Sequence, residues 1–195
     1  NDSEKPTSLA SVYFLLQGIG TLITWNAVLN GLDYFINSFP QWNVVFLFPI
    51  MIFVGQAVTN VLMIQLSKKF SFNQRIIGPL CVLGVLLVAV PVLTKSVAGT
   101  DSGFWIIMCL LFILGVSGTI YQSSLSGLAG FFPGKYTSLY LSGTGFAGLV
   151  MNALRSIAIL GFERDGVTPD AATQFNEIIF YFSVASLIMI SCAVI

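Results

Sequence analysis

The sequence predicts an all-α, polytopic transmembrane helical bundle, and three observations carry that prediction. Hydrophobic residues make up 56% of the chain and charged residues only 8%, with a mean hydropathy of +0.90; soluble domains run near a quarter charged. Charge-free apolar stretches recur along the chain, and about 20 such residues are what a helix needs to cross the hydrocarbon core with every backbone amide satisfied internally. The segments between them are short and polar.

Residues 9–32 carry no charge and form the first span; a signal peptide would be shorter and would end in a cleavage motif. The stretch 34–67 is also charge-free, but NSFPQWN at 37–43 has the composition of a loop, which leaves the second span at 44–66. The third span is 76–94. Residues 102–134 exceed one straight crossing and contain GFFPG near their end, so the fourth span is placed at 104–128, followed by a tight turn. The fifth is 136–160. GFERDGVTPDAAT at 161–173 is a solvated loop, and the sixth span occupies 174–195. The numbering opens on Asn1 rather than Met and closes at Ile195 inside an apolar run, so residues 1–195 are expected to form the N-terminal transmembrane bundle of a longer chain whose C-terminal half is absent.

An excess of Lys and Arg in short loops marks the cytoplasmic side. With the N-terminus inside, Lys5, Lys68, Lys69, Arg75 and Lys135 face the cytoplasm against Lys95 and Arg164 outside, which favours a cytoplasmic N-terminus, with the plasma membrane as the expected location. Eight basic residues balance eight acidic ones, so no net field exists to gather nucleic acid. Without His, and with Cys81, Cys109 and Cys192 far apart in apolar stretches, the chain offers neither a zinc site nor a disulfide framework, and no cofactor is expected. The cysteines read as lipid-facing or core filler. A hydrolase would need a nucleophile with a base, and the spans hold almost no carboxylate to serve as one.

The first span reads GIGTLITWNAVLNGLDYF from Gly18. Leu22, Trp25, Asn26 and Leu29 fall at i, i+3, i+4 and i+7, one helix face. Indoles prefer the interface, and an Asn in hydrocarbon needs a partner. Either Trp25 walls in a flat, neutral, aromatic ligand while Asn26 braces the neighbouring helix, or both are packing elements. In the fourth span Gly115, Gly118 and Gln122 recur at spacings of three and four, with Ser123, Ser126 and Gly127 beyond. The amide of Gln122, donor and acceptor without charge, suits the edge of a neutral base; an interhelical hydrogen bond is its alternative use. Ser142, Gly143, Gly145, Ala147 and Gly148 give the fifth span a small-residue face for packing or sliding. Arg155 either snorkels to the interface or pairs with a carboxylate such as Glu177 or Asp33. Pro49 and Pro91 each remove a backbone hydrogen bond and kink their helices, and Leu47 and Ile50 flank the first kink.

These motifs together resemble the equilibrative nucleoside transporters. The resemblance rests on GIGTLITWNAVLNGLDYF, on YQSSLSGLAGFFPGKYTSLYLSGTGFAGL from Tyr121 to Leu149, and on FPI in the second span, and it covers almost the whole chain. It implies the major-facilitator-like fold of that family, with this chain as its N-terminal half. It further implies that Trp25 stands at the central cavity, that Gln122 bonds the nucleobase, and that Leu22, Leu29, Leu47 and Ile50 line the same cavity. Gly118 and Gly143 match glycines associated with transport and inhibitor response. The chain departs from the family pattern at Thr24, Ser123 and Thr144, where Pro, Gly and Gln are usual. The family's ribose-handling Asp and Arg lie beyond Ile195.

The expected function is alternating-access, facilitative movement of a nucleoside or nucleobase. The partners are that solute, the lipid bilayer and the missing C-terminal helices. The alternatives are proton symport, for which Asp33 and Glu177 are the candidate acids within this chain, and a non-transporting helical scaffold.

Overall fold

The computed structural model describes residues 8–162 and 170–194. Seven helices occupy them: α1 Ser8–Asn30, α2 Leu32–Ser38, α3 Val44–Lys69, α4 Phe72–Val97, α5 Asp101–Gly130, α6 Gly134–Phe162 and α7 Ala171–Val194. All but the short α2 are long and apolar enough to cross a membrane, and no strand occurs among the described residues. The chain is therefore an all-α, multi-pass membrane bundle. Lys5, Arg164 and most of the 161–173 loop lie outside the described residues.

The helix ends follow local chemistry. Gly31 closes α1, its amide donating to Ala27 and Val28, and its missing side chain makes room for α7: a Cβ there would sit 2.8 Å from Ile178 Cδ1 and 3.1 Å from the Tyr181 hydroxyl. The chain bends and continues as α2, so the first crossing ends two residues earlier than the charge-free run suggests. Ser71 caps α4 in a reciprocal box with Gln74, satisfying two orphan donors and starting that helix four residues before the apolar run. Thr100 caps α5 through the Gly103 amide. Between α4 and α5, Gly99 takes a φ of 75°, a conformation other residues enter only with strain, and its amide donates to Ser38 O at 2.9 Å. Just before α7, Asp170 accepts from the Thr173 amide at 2.8 Å; hydrogen bonds from Thr173 hold this carboxyl below its usual range.

α1 packs most extensively along α6, α3 against α5, and α4 between α5 and α7, while α7 also reaches α6 and α1. Two of these seams are glycine crossings. Gly18 and Gly143 face each other across α1 and α6, with a Cβ on either reaching within 3.0 Å of the other's Cα. Gly55 and Gly115 let α3 and α5 approach closely: a Cβ on Gly55 would lie 2.5 Å from Phe112 O, and one on Gly115 would overlap Ile52 O. Aromatic packing joins the end of α2 to α3, α5 and α7. Phe35 meets Phe48 at 5.3 Å and Phe182 at 6.4 Å, and Trp42 lies flat on Phe104 at 4.4 Å. The outward faces remain apolar, as with Val45, Phe46, Val61 and Ile64 of α3, which suits hydrocarbon rather than water as solvent.

Candidate functional site

α1 divides lengthwise. Ile23, Ala27 and Val28 are fully buried in the bundle, whereas Leu22, Trp25 and Leu29 are half-buried on the other side. The Trp25 ring stands 4.9 Å from Phe53 of α3, tilted 45°. Phe53 is exposed and lies one turn beyond the exposed Ile50, with Leu47 half-buried before it. The Trp25–Phe53 contact thus joins an apolar group of α1 to one of α3, although the sequence context of Phe53 gave no signal beyond an apolar residue in an apolar span.

Asn26 donates to Leu22 O of its own helix at 2.9 Å, and its Oδ1 is 3.5 Å from where a Cβ on Gly148 of α6 would be. It therefore sits on the α1–α6 seam beside Gly148. Gly118 and Gly145 behave differently: a Cβ on either meets nothing within 4 Å, so neither is at a helix crossing among the described residues.

Gln122 is exposed on α5, and the residue before it explains why. Tyr121 is fully buried, its hydroxyl 2.9 Å from Gln17 O and 2.6 Å from Gln17 Oε1. One residue further along a helix is a rotation of about 100°, which carries Gln122 out of the interior. Among the described residues Gln122 makes no hydrogen bond, so its alternative use as an interhelical tie is not realised within these six spans. Trp25 and Gln122 are not adjacent. The Tyr121 hydroxyl comes within 3.0 Å of where a Cβ on Gly20 would be, and Trp25 is five residues further along α1, so Trp25 lies roughly 8 Å along the helix from the level of that hydroxyl at 1.5 Å per residue.

Gln17 was not among the residues singled out by sequence. It is 1% exposed, donates from Nε2 to Cys192 O of α7 at 2.7 Å, and its carbonyl accepts from the Thr21 hydroxyl at 3.0 Å. A signal existed: Gln17, Thr21 and Thr24 are all polar, all buried, and spaced on one face. Cys192 belongs to this cluster, while Cys81 and Cys109 are exposed.

A second polar site lies where α1 passes into α2. Arg155 of α6 pairs with Asp33, the carboxylate alternative to snorkelling. The pair borders a pocket of about 120 Å³ lined also by Asn30, Tyr34, Glu177 and Tyr181. The two acids named from sequence thus meet in one place.

A family model described as nucleoside transporter matches residues 106–195. Equilibrative nucleotide transporter 1 of Arabidopsis thaliana is 28% identical over 188 residues, covering 94% of this chain and 40% of that protein. Adenosine transporter 1 of Crithidia fasciculata is 28% identical over 160 residues, 72% of this chain and 32% of its own length. Equilibrative nucleoside transporter 1 of Rattus norvegicus is 33% identical over 94 residues, 48% of this chain and 21% of the rat protein. The chain spans less than half the length of these relatives. With six crossing helices and matches that reach from the first span to the last, the chain is similar to the equilibrative nucleoside transporters.

Proposed function

We propose that this chain is the N-terminal half of a facilitative transporter that moves nucleosides, and nucleobases of similar shape, by alternating access, with C-terminal helices of the same protein closing the cavity. The similar proteins are transporters by name, which supports reading this protein as a transporter and not an enzyme. The single observation that carries the proposal is Gln122: a neutral amide within a membrane span, exposed and without a hydrogen bond among the described residues. Leaving an amide unpaired in a low-dielectric setting costs on the order of 1–3 kcal/mol. A neutral base offering donor and acceptor together supplies the missing partner, and the Trp25–Phe53 surface supplies an apolar wall for its flat face. The five-to-two distribution of basic residues supports a cytoplasmic N-terminus, and the plasma membrane is the proposed location. The complete protein in liposomes should equilibrate labelled adenosine, uridine or hypoxanthine across the bilayer; if none enters faster than in protein-free liposomes, the proposal fails.

One observation favours proton symport as a second reading, namely that Asp33, Glu177 and Arg155 border a common pocket. Both candidate acids thus share one small cavity with Arg155, Tyr34 and Tyr181. Facilitative transport predicts that outside acidification does not drive accumulation above the external concentration. Accumulation that disappears in Asp33→Asn or Glu177→Gln would replace the facilitative reading with the coupled one.

A further inference from the structure

We infer that Gln17 and Tyr121 are positioning residues: their buried hydrogen bonds fix the rotation of α5 about its axis, and through it the direction in which Gln122 presents its amide. The inference rests on the reading of Gln122 as the group that meets the solute, and deepens it.

The geometry of the bundle gives this contact its leverage. α1 packs mainly on α6, whereas α5 is held by α3 and α4. α1 and α5 meet only over a short stretch, so few contacts register the helix bearing Trp25 against the helix bearing Gln122. Tyr121 is the hydrogen-bonded one. A phenol carries a single proton, here shared between two acceptors of the same residue at 2.9 and 2.6 Å. Gln17 is in turn anchored to α7 through Cys192 O at 2.7 Å, so three helices meet at one amide. Every member is at least nine-tenths buried, where hydrogen bonds are strong and their loss leaves unsatisfied groups.

The mechanical consequence follows from helix dimensions. A side-chain tip about 6 Å from the axis moves roughly 2 Å when the helix turns by about 20°. That displacement takes a hydrogen bond of normal length out of range. The Gly55–Gly115 crossing lacks interlocking side chains and so resists such a rotation weakly; the directional bonds of Tyr121 resist it.

The test uses the complete protein in proteoliposomes and measures the half-saturating adenosine concentration and the maximal rate per folded transporter. Tyr121→Phe, which keeps the ring and deletes the hydroxyl, should raise the half-saturating concentration about 3- to 10-fold, the effect of one hydrogen bond, with the maximal rate unchanged. In a Gln122→Ala background the same change should have no further effect, because the group being aimed is gone. Where Tyr121→Phe alone folds poorly, Gln17→Leu combined with Tyr121→Phe removes amide and hydroxyl together, leaves no buried side chain without its partner, and should show the same loss and the same non-additivity. If Gln122→Ala weakens adenosine but the Tyr121 change is silent, or adds its full factor on top, the positioning role is refuted while the function stands. If Gln122→Ala itself changes nothing, the solute-binding reading of Gln122 and the inference fall together.

Discussion

Gly143→Ala in the complete protein is expected to cut the yield of folded, monodisperse transporter by at least about ten-fold. The added Cβ would overlap the Leu15 carbonyl oxygen and lie 3.0 Å from Gly18 Cα. Both obstacles are backbone, so no side chain can swing aside, and relief requires α1 and α6 to separate along the most extensive seam in the bundle. Overpacking a core costs about 1–3 kcal/mol when side chains can adjust, and a backbone collision belongs at or above the upper end of that range. Against a total stability of only about 5–15 kcal/mol, this is a large fraction. Gly115→Ala should behave in the same way, since its Cβ would overlap Ile52 O. Gly118→Ala and Gly145→Ala supply the contrast: nothing lies within 4 Å of either new methyl group among the described residues, so the yield should stay at the wild-type level. Fluorescence-detected size exclusion of tagged protein resolves the four variants in one experiment, and equal yields for all would show that the glycine crossings do not hold the bundle together.

Why the sequence separates these glycines so poorly is itself physical. A glycine at helical spacing announces that a close approach is possible, but which glycine meets a neighbour depends on where two helix axes cross. Gly143, Gly145 and Gly148 look alike in the fifth span; only Gly143 meets a backbone, Gly148 meets the Asn26 amide, and Gly145 meets nothing within 4 Å. The spans themselves were legible because hydrocarbon enforces a minimum length and excludes charge, and the helix ends shifted by several residues because capping and snorkelling extend helices beyond the apolar run. Gln122 stood out as an amide among small residues. Gln17 did not, although its tertiary role is larger within these helices, because a polar residue in an apolar span signals the need for a partner without naming it. Arg155 illustrates the same limit. Sequence offered two carboxylates and the interface, and only the parallel run of α1 and α6, with Gly18 beside Gly143 and Asn26 beside Gly148, brings Asp33 to it.

Trp25→Ala is expected to raise the half-saturating nucleoside concentration roughly 5- to 150-fold, the range that corresponds to about 1–3 kcal/mol for a base stacked on an aromatic side chain. Stability should respond less. Trp25 is half-buried and its aromatic neighbour is the exposed Phe53, and such a pair adds about 0.5–1.5 kcal/mol beyond its area, well inside the stability margin. Trp25→Phe should retain most of the affinity because a smaller π-face still covers part of the base. Phe53→Ala should produce a smaller loss of the same kind by letting the indole tilt away from its 45° setting. The pattern across solutes then separates stacking from simple bulk. If Trp25 works through its π-face, adenosine and hypoxanthine, with two fused rings, should lose more than uridine, with one; if it only fills space, Trp25→Leu should restore all three equally. An unchanged half-saturating concentration in Trp25→Ala, with folded protein at wild-type levels, would remove the aromatic wall from the site and leave Gln122 as its sole support in this chain.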